Sequence, residues 1–138
     1  MGMILDGCVW VGLASNQVDR PAVLVAAGAS PVFISVISLG ELSFGVDSCL
    51  DPTERALRAS YLRQLESRPT IDVTKQTAAS FGLLAAAVKQ SGRSPRPCYN
   101  DLWIAAQAIE HGYELLTLNV KNFADFPGLR LAKLPCKT

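Results

Sequence analysis

Short apolar runs alternate with helix-forming segments along the whole chain of 138 residues. The predicted strands cover residues 3–6, 32–36, 70–73, 115–118 and 129–131. Between them lie helical patterns, and one of these begins at Asp51 and Pro52, a capping acid followed by a first-turn proline. Such alternation predicts an α/β sandwich in which a mostly parallel central sheet is flanked by helices.

The composition is typical of a single folded domain, which we expect to span residues 1–138. Hydrophobic residues make up 49% of the chain and charged residues 18%. The net charge of +1 gives no global basic field, so nucleic acid could be bound only by a local patch. The longest apolar stretch, residues 78–88, is about half of what a membrane span needs. With no basic leader before the first strand, we expect a cytoplasmic protein.

Four cysteines, Cys8, Cys49, Cys98 and Cys136, are scattered along the chain and form no C-x-x-C pair. This spacing excludes the common zinc-knuckle and thioredoxin-like redox motifs. Reduced thiols in a cytosolic protein are the simpler interpretation.

Three acidic residues, Asp6, Glu41 and Asp101, each lie where an apolar run gives way to a turn or a helix. In a parallel α/β sheet these junctions share one edge, where ligands bind, so carboxylates distant in sequence can meet there. Without a cation, clustered carboxylates would repel one another. Their convergence would therefore imply a hard divalent metal ion such as Mg²⁺ or Mn²⁺.

Each acid also has a structural interpretation. Glu41 follows Ser38 by three residues, which is the spacing of a helix capping box. Asp101 near a helix start would be stabilised by the helix dipole, and Asp6 could be an ordinary turn acid.

Other polar residues lie near the same predicted edge. Asn119 could bind the metal or position a phosphate, or it could stabilise a turn. Thr117 could add a hydroxyl for RNA, or it could simply face solvent. Arg93 and Arg96, on a proline-containing loop upstream of Asp101, could hold RNA phosphates, or the loop could be merely solvated.

Four segments taken in order carry a resemblance that covers nearly the entire chain. They are Ile4-Leu5-Asp6, Ser38-Leu39-Gly40-Glu41-Leu42, Asn100-Asp101-Leu102-Trp103-Ile104-Ala105-Ala106 and Leu116-Thr117-Leu118-Asn119-Val120-Lys121-Asn122-Phe123. Together they resemble the PIN-domain family, in particular the VapC toxins of bacterial type II toxin–antitoxin systems.

The resemblance implies a PIN-like three-layer sandwich and a Mg²⁺- or Mn²⁺-dependent endoribonuclease that hydrolyses RNA. It also implies a homodimer inhibited by a cognate antitoxin protein. Asp6, Glu41 and Asp101 would be the metal-binding carboxylates, and Asn119 falls on a fourth catalytic position that holds Asp or Asn. Ser38 matches the small hydroxyl residue that precedes the glutamate in the second motif. An antitoxin would need an exposed apolar groove, which we expect between helices 21–27 and 52–66.

Two departures from the family pattern favour an alternative function. The first motif commonly reads D-T-N, whereas this chain has Gly7 and Cys8 after Asp6, so a polar side chain that would orient Asp6 is missing. The last motif often has Asp where this chain has Asn122. The alternative is a catalytically impaired PIN-like module that acts by binding a protein partner or RNA.

Overall fold

The computed structural model of the protein describes residues 1–134, in which strands and helices alternate as predicted. The strands are β1 (Met3–Leu5), β2 (Val32–Ser35), β3 (Thr70–Ile71), β4 (Glu114–Leu116) and β5 (Arg130–Leu131). The helices are α1 (Gly7–Ala14), α2 (Arg20–Ala27), α3 (Val36–Asp47), α4 (Pro52–Glu66), α5 (Lys75–Gln90), α6 (Tyr99–His111) and α7 (Val120–Phe123). A short 3₁₀ helix, Arg96–Cys98, precedes α6.

The five strands form one parallel sheet with the order β3-β2-β1-β4-β5, so β1 is the central strand. Leu5, the last residue of β1, is in register with Ile34 of β2 and Leu116 of β4. The strands therefore end at one common edge. The predicted α/β fold with its parallel central sheet is confirmed.

Both faces of the sheet are buried, which gives three layers. Ile4 packs into a core on one face with Leu84 of α5 and Leu102 of α6. Its neighbours Met3 and Leu5 point to the opposite face, because side chains alternate along a strand. That second core also contains residues of α1, α2 and α4, namely Val9, Trp10, Val23, Ala27 and Leu65. The predicted three-layer sandwich is confirmed.

Helix α3 begins earlier than the sequence suggested. Ser35 is its N-cap and accepts a hydrogen bond from the Ile37 N–H at 3.1 Å, so Ser38 lies inside the helix. The predicted capping box between Ser38 and Glu41 is therefore wrong, and Glu41 is left without that structural role. The proline-containing loop predicted to carry Arg93 and Arg96 is also shorter than expected, because the 3₁₀ helix begins at Arg96.

Helix α5 begins with a reciprocal cap that is tied to α6. Thr77 N–H donates to the Thr74 hydroxyl, and Thr74 N–H donates to the Thr77 hydroxyl. Both hydroxyls also donate to the carboxylate of Glu110 on α6, Thr74 at 3.0 Å and Thr77 at 2.6 Å. Glu110 is thus a structural acid that joins two helices.

Within residues 1–134, no helix combines the length and apolar character required to cross a membrane. Cys8, Cys49 and Cys98 are free thiols, as expected. The fourth predicted thiol, Cys136, and the end of the predicted domain lie outside the described residues.

Candidate active site

Asp6 immediately follows the central strand and is fixed by hydrogen bonds on both carboxylate oxygens. Oδ1 accepts the Gly7 N–H at 2.8 Å, so Asp6 caps helix α1. Oδ2 accepts the Thr117 hydroxyl at 2.8 Å, and the Cys8 thiol donates to the same oxygen at 3.4 Å. Only 7% of Asp6 is exposed. These hydrogen bonds fix the orientation of the Asp6 carboxylate at the edge of the sheet.

The inference that Asp6 lacks an orienting polar side chain is wrong. Thr117 and Cys8 supply that contact in place of the residues usual in the first motif. Thr117 is 5% exposed, so its hydroxyl faces Asp6 and not solvent. The position of Thr117, two residues before Asn119 and directly after the strand that pairs with β1, was the only signal in the sequence for this role.

Glu41 and Asp101 reach the same edge from different helices. Glu41 projects from α3, and Asp101 lies in the first turn of α6. Together with Asp6 and Asn119 they line one cleft of about 820 Å³. The structure thus brings together the four candidate catalytic residues, from segments far apart in sequence.

The carboxylates in this cleft influence one another electrostatically. Partial burial raises the pKa of Glu41, and the charges of Asp6 and Asp101 raise it further. Burial also raises the pKa of Asp101, the charge of Asp6 adds to that effect, and the Arg93 guanidinium partly offsets it. The cleft therefore concentrates negative charge that nearby cations only partly balance.

The donor set of the cleft suits a hard divalent cation. Three carboxylates and the Asn119 amide offer oxygen ligands of the kind Mg²⁺ and Mn²⁺ prefer. In residues 1–134, however, no three acidic, histidine or cysteine side chains are close enough to form a ready-made metal cluster. In addition to burial, the charge of Asp6 raises the pKa of Glu41 and Asp101, so these acids repel one another when no cation is bound. Coordination of one ion would require these side chains to move together.

Ser38 lies beside the carboxylates but makes no hydrogen bond. Ser38 is fully buried, and its hydroxyl has no hydrogen-bond partner among the described residues. The Ser38 hydroxyl lies close to Gly7, because a Cβ atom added to that glycine would be 3.7 Å from the hydroxyl oxygen. Both residues line the cleft, so Ser38 remains close to the acids without serving as a helix cap.

The two candidate RNA-binding arginines occupy different environments. Arg93 is paired with Asp125 at 2.7 Å, donates to the Asn122 carbonyl, and lies over the Phe126 ring. Arg96 is exposed, and no ion pair involving it occurs among residues 1–134. It lines a second cleft of about 370 Å³ that shares Glu41 and Asp101 with the first.

An apolar groove continues from the acidic cleft between α1, α3 and α4. Its walls include Val11, Leu42 and Leu57, of which Val11 is 49% exposed and Leu57 63% exposed. The prediction that helix 52–66 would border such a groove agrees with this arrangement. The prediction for helix 21–27 was wrong, because no α2 residue lines the groove.

Residues 3–129 match the family model described as PIN domain. The chain belongs to the PIN-domain family. The match covers β1 through α7 and therefore contains all four candidate catalytic residues.

Curated relatives confirm the predicted likeness to VapC proteins. The chain is 30% identical to Ribonuclease VapC1 of Rickettsia felis, and the alignment covers 99% of each protein. It is 27% identical to Ribonuclease VapC of Rickettsia bellii, again with 99% of each covered.

Solved structures show the same fold. A crystal structure of VapBC2 from Rickettsia felis, bound to a DNA fragment from their promoter, contains a chain with a TM-score of 0.80 and 29% identity. The superposition covers 95% of this chain and 97% of that one. VapBC-1 from nontypeable Haemophilus influenzae gives a TM-score of 0.78 at 25% identity, with 95% and 96% covered.

Proposed function

We propose that this PIN-domain protein is a divalent-metal-dependent endoribonuclease, the toxin of a toxin–antitoxin pair. The observation that carries the proposal is the meeting of Asp6, Glu41 and Asp101 in one cleft, where burial and the charge of Asp6 raise the pKa of Glu41 and Asp101. The full-length similarity to ribonuclease VapC relatives supports RNA as the substrate.

The residues of the cleft have distinct proposed roles. Asp6 and Asp101 would bind a Mg²⁺ or Mn²⁺ ion directly, and Asn119 would be an auxiliary ligand. Glu41 would bind the ion or orient the attacking water. When bound, such an ion supplies a Lewis acid and neutralises charge at the phosphodiester.

Thr117 is the positioning residue of this site. Its hydroxyl donates to Oδ2 of Asp6, while the Gly7 N–H donates to Oδ1. Together with the contact from the Cys8 thiol to Oδ2, these hydrogen bonds fix the plane of the carboxylate and still leave acceptor capacity for a ligand. Partners of this kind orient metal-binding carboxylates and affect metal affinity.

The test is cleavage of RNA by the purified protein with Mn²⁺, compared with its Asp6→Asn variant. We expect at least about a hundredfold loss, because the variant removes a charged ligand held at the centre of the site. Asp47→Asn, at an exposed position on α3, is the matched control and should cleave like the wild type. Equal activity of wild type and Asp6→Asn would show that a contaminating nuclease had been measured.

The alternative of a catalytically impaired binding module is less well supported. It was motivated by Gly7, Cys8 and Asn122, which depart from the family pattern. Since Thr117 and Cys8 hydrogen-bond Asp6, the first departure leaves the carboxylate oriented. The ribonuclease relatives also favour the enzyme.

We further propose that a cognate antitoxin binds the apolar groove. Solved neighbours of this chain are VapBC complexes, and an exposed apolar groove is a common site for a partner helix. Because the groove and the acidic cleft form one cavity, a bound partner would also cover the acids.

Leu57→Glu tests this binding site, because it places a charge on the exposed wall of the groove. Co-purification with the antitoxin should be lost, while RNA cleavage should remain. Leu24→Glu is the control, since Leu24 is similarly exposed at 64% but lies on α2 outside the groove. Loss of binding in both variants, or in neither, would contradict the proposed site.

The protein is also proposed to be a homodimer, as its VapC likeness implies. Light scattering on the purified chain tests this directly. A mass near 14.8 kDa would contradict it.

A further inference from the structure

We propose that the second cleft is a subsite for one unpaired nucleotide of the RNA strand, with Tyr99 as the stacking platform and Arg96 as the phosphate contact. This inference rests on the proposed ribonuclease function and adds to it the form of the substrate and the residues that would hold it.

The position of the cleft is the first argument. Its lining includes Glu41 and Asp101, so a group bound there lies beside the proposed cleavage site. Its volume of about 370 Å³ falls at the low end of small-ligand pockets, which span roughly 300–1,000 Å³. The cleft is therefore suited to about one nucleotide and not to a duplex.

The aromatic surface is the second argument. Tyr99 lines the cleft and is 42% exposed, and its ring makes an edge contact with Phe81 with the centroids 5.4 Å apart. Phe81 in turn stacks on Trp103 at 4.0 Å. Rigid support of an exposed aromatic ring lowers the entropy cost of stacking a base on it. Aromatic stacking suits single-stranded RNA, whose bases are free to leave the strand.

The charge on this wall is the third argument. Arg96 is exposed and lines the cleft, and in the described part of the chain no carboxylate pairs with it. Arg93, by contrast, is committed to Asp125. Arg96 is therefore the arginine available for a phosphate, and the exposed Asn100 beside it adds an amide that can hydrogen-bond a base edge.

The experiment measures equilibrium binding of fluorescent single-stranded RNA of about 12 nucleotides and mixed sequence, without metal, to protein carrying Asp6→Asn. This background prevents cleavage and leaves the second cleft intact, because Asp6 does not line it. Tyr99→Leu should weaken binding by about tenfold, whereas Tyr99→Phe should bind normally because the ring is kept. A duplex of the same sequence should not distinguish the two variants.

Salt dependence separates stacking from charge. Arg96→Gln should reduce the slope of log K against log salt concentration by about 0.7, the contribution of one phosphate contact to a single strand. Tyr99→Leu should leave the slope unchanged. Arg63→Gln, an exposed charge on α4 outside the cleft, controls for the change in net charge and should have no effect.

The outcomes distinguish this inference from the proposed function. Equal RNA affinity of Tyr99→Leu and Tyr99→Phe, or an unchanged salt slope in Arg96→Gln, would overturn the subsite even if the wild type cleaves RNA. The expected binding changes in a protein without Mn²⁺-dependent cleavage would support the subsite and refute the nuclease. In active protein, Tyr99→Leu should raise KM and leave kcat nearly unchanged.

Discussion

Two carboxylate sites in this protein differ in what surrounds the charge. Glu110, between α5 and α6, has a side chain only 13% exposed and accepts hydrogen bonds from the hydroxyls of Thr74 and Thr77. Glu41 and Asp101 line one cleft, where burial and the charge of Asp6 raise the pKa of both, and within residues 1–134 neither carboxylate accepts a hydrogen bond. The first site uses its charge to join helices. The second site holds carboxylates whose negative charge is only partly offset, by the Arg93 guanidinium near Asp101.

The difference indicates which acids serve stability and which serve function. A carboxylate such as Glu110, whose hydrogen bonds join two helices, contributes to folding. Carboxylates held together without donors destabilise the fold, and such an arrangement is typical of a site that awaits a cation. Asp6 combines the two cases, because it caps α1 and also faces the other acids.

The largest effect is expected when one carboxylate in each site is replaced by an amide. One replacement should reduce RNA cleavage, and the other should reduce stability. Asp101→Asn should lower RNA cleavage at least about a hundredfold while it leaves the fold intact. Glu110→Gln should retain cleavage but lower the free energy of unfolding by about 1 kcal/mol, because a charged hydrogen-bond acceptor is lost. Cleavage rates and urea unfolding curves measure the two. Loss of activity in Glu110→Gln with normal stability would refute the distinction.

Thr117→Val tests whether Asp6 depends on its hydroxyl donor, with an intermediate effect. The change keeps the shape of the side chain and removes the 2.8 Å hydrogen bond to Oδ2. We expect Mn²⁺ affinity to fall by about 10–100-fold, the range found for outer-shell partners of metal ligands. Titration calorimetry measures it, with Thr53→Val on exposed α4 as the control. Wild-type affinity in Thr117→Val would show that Gly7 and Cys8 suffice to orient Asp6.

The pH dependence of stability should be the smallest effect. Because the pKa of Glu41 is higher in the folded chain, the folded state binds more protons, and its stability without metal falls as pH rises through that window. Glu41→Gln removes the penalty, so metal-free Tm should exceed that of the wild type at neutral pH. The difference should vanish below the ordinary Glu value of 4.5. Thermal unfolding in EDTA measures this.

Mn²⁺ provides the control for the pH experiment. Saturating ion stabilises the form that binds it, so the wild type should then gain more Tm than Glu41→Gln. A Tm order that is the same with and without Mn²⁺ would contradict a role for Glu41 in the metal site.

The fold was largely predictable because its signals are local and repeated. Apolar runs such as residues 32–36 mark buried strands, and caps such as Asp51, which accepts the Glu54 N–H, mark helix starts. The parallel sheet follows from the alternation, and it explains why Asp6, Glu41 and Asp101 share one edge. Helix α7 was missed, because four residues are too few to show a helical period.

Some contacts could not be predicted from the sequence. They depend on the direction in which side chains point and on which of two similar residues takes a structural role. Ser35 and Ser38 are both plausible caps, and only the end of β2 decides that Ser35 fills the role. The contact between Thr117 and Asp6 requires the register of β1 with β4, which lies far along the chain. The ion pair between Arg93 and Asp125 likewise depends on tertiary structure, because the two residues are far apart in the sequence.

The central position of β1 has a consequence for synthesis of the protein. Met3 pairs with Val32 on one side, but its other neighbour, Glu114, is synthesised only after residues 33–113. Thr117 and Asn119 arrive later still. While residues 7–113 are synthesised, the nascent chain therefore carries Asp6 without the strand that completes the cleft. The acidic cleft therefore cannot be complete until the chain has been extended past Asn119.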